Sequence, residues 1–181
     1  MPTKTSMTRD SDSDELATGR ALAAQLGLLL LQRDLTLSLA ESCTGGLIAS
    51  LVTDIAGSST YFPGGVVAYA YEAKERLLGV RHETLMAHGA VSFETAQEMA
   101  SGAIRLFGVH MALAVTGIAG PGGATPDKPV GLVHIHLSAP GVEIGERHIW
   151  DADRIGNKVL SAEAALRLAI RYLQEAPPVL A

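Results

Sequence analysis

The stretch Leu35-Thr36-Leu37-Ser38-Leu39-Ala40-Glu41-Ser42-Cys43-Thr44-Gly45-Gly46, continued by Leu47-Ile48-Ala49-Ser50-Leu51-Val52-Thr53, decides the fold class. Leu35 to Ala40 alternates leucine with small or polar residues, the period of a strand with one apolar face. Leu47 to Thr53 has the apolar spacing of a helix that starts near Thr44. Between them lies a turn of small residues, Ser42 to Gly46. A strand that feeds a helix through a tight turn is the building unit of an α/β sheet.

The neighbouring segments repeat the theme. Ala17 to Gln32 is rich in leucine at helical spacings. Gly65 to Tyr71 reads as a second strand and Glu72 to Leu78 as the helix after it. Ser92 is a capping residue for a helix that runs to Phe107. Met111 to Thr116 is a short apolar run, the pattern of a buried strand, and leads into the glycine-dense loop Gly117 to Gly123. Val130 to Ser138 and Val142 to Trp150 flank Ala139-Pro140-Gly141 as an antiparallel hairpin. Asn157 to Gln174 is a last amphipathic helix. The expected fold is a three-layer α/β/α sandwich with a mixed, largely parallel sheet. One domain is expected over residues 16–175, after a disordered polar tail at 1–15.

Composition narrows the partners. The 181 residues are 48% hydrophobic and 18% charged, the balance of one globular domain. Aromatics are only 4% and the net charge is −5, so neither base stacking nor phosphate-backbone binding is favoured. Cys43 is the single cysteine, which excludes an internal disulfide and a cysteine-based zinc site. No run approaches the roughly 18 apolar residues of a membrane span, and residues 1–15 lack the apolar core of a signal peptide. The expectation is a cytoplasmic protein with no nucleic-acid or membrane partner, no metal and no cofactor.

Three segments carry candidate chemistry. In the Ser42 turn, small residues let a ligand approach the backbone, and the N–H groups of Gly45 and Gly46 are expected to face an anion or a developing oxyanion; the plain alternative is a tight turn with a Ser/Thr cap. In Tyr69-Ala70-Tyr71-Glu72-Ala73-Lys74, Lys74 is either a solvated surface lysine or a desolvated base turned into the cleft. A serine with a lysine base needs no histidine or aspartate. The third segment, Thr116 to Gly123, has the wrong glycine spacing for a dinucleotide fingerprint and reads as a loop over a small-molecule pocket, or as a long surface turn. Arg154 and Lys158, near the start of the last helix, are candidates for a phosphate or for solvent.

At these segments the sequence resembles the CinA C-terminal domain family, the nicotinamide-nucleotide amidases, in its single-domain form. The motifs occur in order: Ala40 to Gly46, Asp54 to Ser59, Gly64 to Tyr69 with Glu72 to Lys74, His88 to Ser92, Thr116 to Gly123, and Lys128 to Gly131. The match covers roughly Ala17 to Leu173. The resemblance implies hydrolysis of nicotinamide mononucleotide to nicotinate mononucleotide and ammonia, without a metal, by a protein that tends to form homodimers. It implies Ser42 as nucleophile and Lys74 as base, with Tyr69 sharing the proton. Backbone donors of Thr44, Gly45 and Gly46 would hold the oxyanion; Thr116, Gly117 and Gly120 would contact the ribose or ring, and Arg154 the phosphate. Two segments depart from the family pattern. Ala70-Tyr71 replaces Ser-Asn, and Lys158 stands where an arginine is usual. Two rivals remain: Cys43 as nucleophile, and a catalytically silent nucleotide-binding or competence-associated protein.

Overall fold

A computed structural model describes residues 16–175. In chain order the elements are α1 (Ala17–Gln32), β1 (Leu37–Glu41), α2 (Leu47–Thr53), β2 (Gly64–Val67), α3 (Tyr71–Leu78), α4 (His82–His88), α5 (Phe93–Phe107), β3 (Met111–Gly117), β4 (Leu132–Ala139), β5 (Val142–Ile149) and α6 (Arg154–Glu175). The five strands form one sheet in the order β2-β1-β3-β4-β5. β2 and β3 both pair parallel to β1, whereas β4 and β5 are antiparallel additions. This is the expected mixed α/β sandwich. The expected tail at 1–15 lies outside the described residues. Among the described residues, no helix is long and apolar enough to cross a membrane.

The two faces of the sheet differ in size because each strand alternates differently sized residues. Leu37, Leu39, Met111, Leu113, Val115, Val133, Ile135 and Leu137 point to one side, where α1, α2 and α6 cover them. Ala40, Ala112 and Ala114 point to the other, under α3, α4 and α5. The small residues let α5 lie close to the sheet through Met99, Ala100 and Ala103. Gly102 continues this tightness, since a Cβ built there would stand 2.0 Å from the Leu78 carbonyl oxygen at the end of α3. Gly102→Ala is therefore expected to cost about 1–3 kcal/mol or more through overpacking, read as a lowered midpoint in denaturant. An unchanged midpoint would show that α3 is free to move away.

Several boundaries differ from the sequence pattern, each for a local reason. β1 starts at Leu37, because the N–H of Leu35 closes the end of α1 by donating to Leu30 O (3.0 Å). β2 stops at Val67, and Tyr71, expected in the strand, is the first residue of α3. The carbonyls of Ala68 and Tyr69 meet the Lys74 amine at 2.6 and 3.3 Å. The short helix α4 has no apolar period that would announce it. α6 begins three residues early, at Arg154, because Asp153 caps it. The Asp153 carboxylate accepts from Gly156 N (2.7 Å) and its carbonyl from Asn157 N (2.8 Å). Ser92 caps α5 as expected, accepting from Thr95 N at 3.2 Å.

Candidate active site

Ser42 leaves β1 on the alanine face. Its N–H donates to Val115 O (2.9 Å), so the parallel β1–β3 ladder holds its backbone in place. Lys74 reaches Ser42 from α3. Its side chain is 0% exposed, and Nζ lies 3.0 Å from Ser42 Oγ. The two residues are 32 positions apart, and the crossover through α2 and β2 brings them together. Burial pulls the Lys74 pKa down to about 8, because the ammonium has lost most of its water.

The surroundings of Nζ suit a neutral amine. A neutral amine has two N–H donors and one lone pair. The donors match the carbonyls of Ala68 and Tyr69, and the lone pair is left to accept the Ser42 hydroxyl proton. In the protonated form all three contacts are donated by the ammonium. The site thus holds a proton acceptor in place whichever state it occupies.

Glu41 shapes the turn, and its role was not legible as chemistry. It is 1% exposed and projects opposite to Ser42, where its carboxylate accepts from Gly46 N (3.0 Å), Ile48 N (3.2 Å) and Ala49 N (2.8 Å). These are orphan donors at the start of α2, so the strand residue before the turn caps the helix after it. The expectation that Gly45 and Gly46 present free N–H groups is thereby corrected. Gly46 N–H belongs to Glu41, and Gly45 N–H donates to Ser42 O at 3.1 Å. Their positive φ angles, +65° and +94°, explain why glycine stands at both positions. The Thr44 hydroxyl in the same turn is buried and has no hydrogen-bond partner among the described residues.

Cys43 points away from the site, into the core beneath α1 and α2. It is 5% exposed, and burial pushes its thiol up to about 12. A thiol so disposed is not a nucleophile at neutral pH.

The rim is assembled by α6. Arg154 donates to Tyr69 Oη (3.0 Å) and to Gly120 O (2.7 Å), bridging the end of β2 to the glycine loop. Tyr69 is thus joined to Lys74 through its carbonyl and to Arg154 through its exposed hydroxyl. Asn157, which the sequence did not single out, is 1% exposed; it donates to Ala119 O (3.1 Å) and accepts from Ala152 N (3.2 Å). It ties the glycine loop to α6. The strand register carries Thr116 to the position beside Ser42, but its hydroxyl donates to Ala90 O (2.7 Å) and fastens the segment before α5. Gly117 serves close strand packing, as a Cβ there would meet Leu132 O at 2.6 Å. An open cleft of about 500 Å³ adjoins Arg154, walled by Gly120, Pro121, Val130 and Ile155. Among the described residues, no group of three or more His, Cys, Asp or Glu side chains is arranged to hold a metal ion.

A family model described as the CinA C-terminal domain matches residues 19–173. The chain belongs to the CinA C-terminal domain family. It is 53% identical over 161 residues to a CinA-like protein of Chloroherpeton thalassium, covering 86% of this chain and 38% of that one. It is 49% identical over 149 residues to a CinA-like protein of Desulforapulum autotrophicum, covering 82% and 35%. The chain therefore spans little more than a third of the curated relatives it matches. Among solved CinA structures, the competence/damage inducible protein CihA of Agrobacterium tumefaciens superposes with a TM-score of 0.84 at 39% identity, covering 94% of this chain and 100% of that one. A competence damage-inducible protein A of Klebsiella pneumoniae gives 0.85 at 34%, covering 88% and 99%.

Proposed function

We propose that this CinA-family chain is an amidohydrolase that converts nicotinamide mononucleotide to nicotinate mononucleotide and ammonia. The observation that carries the reading is the buried Lys74 amine within hydrogen-bond distance of Ser42 Oγ. A desolvated lysine with a pKa of about 8 is a competent base near neutral pH. The identity of the amide comes from the family resemblance, and the cationic rim of Arg154 and Lys158 suits its phosphate.

In the proposed reaction, neutral Lys74 takes the Ser42 proton as Oγ bonds to the carboxamide carbon. With Gly45 and Gly46 occupied, the turn donors left for the oxyanion are the N–H groups of Cys43 and Thr44. Lys74 returns the proton to the leaving nitrogen, the C–N bond breaks and ammonia departs. Water then adds to the acyl-serine with Lys74 again as base, and breakage of the ester C–O bond releases the carboxylate. Tyr69, anchored by Arg154, borders this proton path. A homodimer, on the family resemblance, and a cytoplasmic location, on the sequence pattern, complete the reading.

Ammonia release from nicotinamide mononucleotide, compared with plain nicotinamide, tests the reading. Binding without turnover would instead favour the silent nucleotide-binding protein. The pH profile gives a sharper check. Below the Lys74 pKa, each pH unit removes about nine-tenths of the free base, so kcat/KM should rise roughly tenfold per unit up to about pH 8 and then level. The sign for stability is the same. Lys74 has a depressed folded-state pKa, so between about 8 and the ordinary lysine value of 10.5 the unfolded chain binds more protons, and stability rises with pH. An activity limb centred near 6.5 would assign the base to a histidine instead.

A further inference from the structure

We propose that Tyr71 is a positioning residue for the base: its hydroxyl braces the helix that carries Lys74 against the strand beside the nucleophile, by way of Ala90. This rests on the amidohydrolase reading above, since it concerns the same Ser42–Lys74 pair. Tyr71 is the first residue of α3, and Lys74 follows about one turn later on the same side. Helical side chains lean toward the N-terminus of their helix. The Lys74 stem therefore runs back along that first turn to reach the carbonyls of Ala68 and Tyr69. Where the first turn of α3 sits decides where Nζ sits.

Ala90 ties that turn to the other half of the site. Its N–H donates to Tyr71 Oη at 3.2 Å. Its carbonyl accepts from Thr116 Oγ1 at 2.7 Å, and Thr116, 1% exposed, stands beside Ser42. The N–H thus faces the helix of the base, and the carbonyl faces the strand next to the nucleophile. Ala90 is a fixed post, although it lies in the connection between α4 and α5. Gly89 O accepts from Thr95 Oγ1 (2.8 Å) and Ser92 Oγ (3.1 Å), and Lys128 Nζ donates to His88 O (2.6 Å) and Val91 O (2.7 Å). Every carbonyl from His88 to Val91 is held by a side chain. Tyr71 is 39% exposed, so its ring is no core residue, and the hydroxyl is the part that is engaged. Tyrosine spans the gap to Ala90, where the shorter asparagine usual in the family pattern stops short.

The test measures ammonia release from nicotinamide mononucleotide, its equilibrium binding by calorimetry, and backbone hydrogen exchange, in wild-type, Tyr71→Phe and Tyr71→Asn chains. Tyr71→Phe keeps the ring and removes the hydroxyl. Its kcat should fall about 2- to 10-fold, the equivalent of one hydrogen bond, with KM and affinity unchanged. The Lys74 N–H, which donates to Ala70 O, should exchange faster than in wild type, as should the Ala90 N–H. Tyr71→Asn should behave as Tyr71→Phe does. A purely structural bond would lower the denaturation midpoint and leave kcat of the folded chain at the wild-type value. That result, or unchanged exchange at Lys74, would overturn the role of Tyr71 and leave the amidohydrolase reading standing. If no chain releases ammonia, wild type included, that reading falls, and exchange at Lys74 still decides whether Tyr71 positions α3.

Discussion

Ser42→Ala is expected to lower ammonia release from nicotinamide mononucleotide by roughly 10³- to 10⁴-fold or more, the loss that follows removal of a nucleophile or its base in a coupled pair. The fold should survive. Ser42 is held by its backbone bond to Val115, and among the described residues its side chain has one hydrogen-bond partner, Lys74. Deleting the hydroxyl leaves Lys74 on the carbonyls of Ala68 and Tyr69. Lys74→Met should lose activity to a similar extent, because methionine fills the stem of the lysine without a proton acceptor. The two losses should not add: the double variant should be about as slow as either single one, since nucleophile and base act as a unit. Turnover within tenfold of wild type in folded Ser42→Ala would remove the serine from the mechanism.

The second large effect concerns Glu41, which touches none of the reacting atoms. Glu41→Gln keeps the size of the side chain but replaces one acceptor oxygen by an N–H₂ group. That group would face at least one backbone N–H among Gly46, Ile48 and Ala49. The expected cost is about 2–4 kcal/mol, from a lost charge-assisted bond and a buried donor left without an acceptor. Activity should fall as well, because the turn that aims Ser42 is fixed from behind by this carboxylate. Thermal denaturation and ammonia release measured on the same sample separate the two losses. A variant with wild-type stability would show that the start of α2 is satisfied by water instead.

The contrast between these residues shows what the chain made legible. The strand–turn–helix around Ser42 was readable because alternation and small residues are local signals. The pairing with Lys74 was not, since it depends on a parallel crossover; there the ordered family motifs supplied the link. Glu41 and Asn157 escaped notice for a common reason. Each is a buried polar residue whose partners are backbone atoms of another segment, and backbone partners leave no mark on side-chain identity. The acidic residue closing an otherwise apolar strand, Glu41 directly before Ser42, was the available hint. Helix α4 went unread because its sequence, His82 to His88, carries no apolar period: its buried residues are the adjacent Thr84 and Leu85. The free glycine donors failed for a further reason: glycine permits a conformation but does not say which acceptor takes the resulting N–H.

The alanine face of the sheet acts on the site as a shim. Ala40, Ala112 and Ala114 set the thickness of the layer between the sheet and the helices that include α3. The aliphatic stem of Lys74 has a fixed length, so that thickness decides where its nitrogen comes to rest. A methyl group added to one of these alanines would act at a distance, lifting a helix and misplacing a base it never touches. The leucine face, with no such gauge to keep, is where this fold can absorb drift in side-chain size. Stabilising substitutions should therefore be sought beneath α1 and α6, and changes of substrate at the rim.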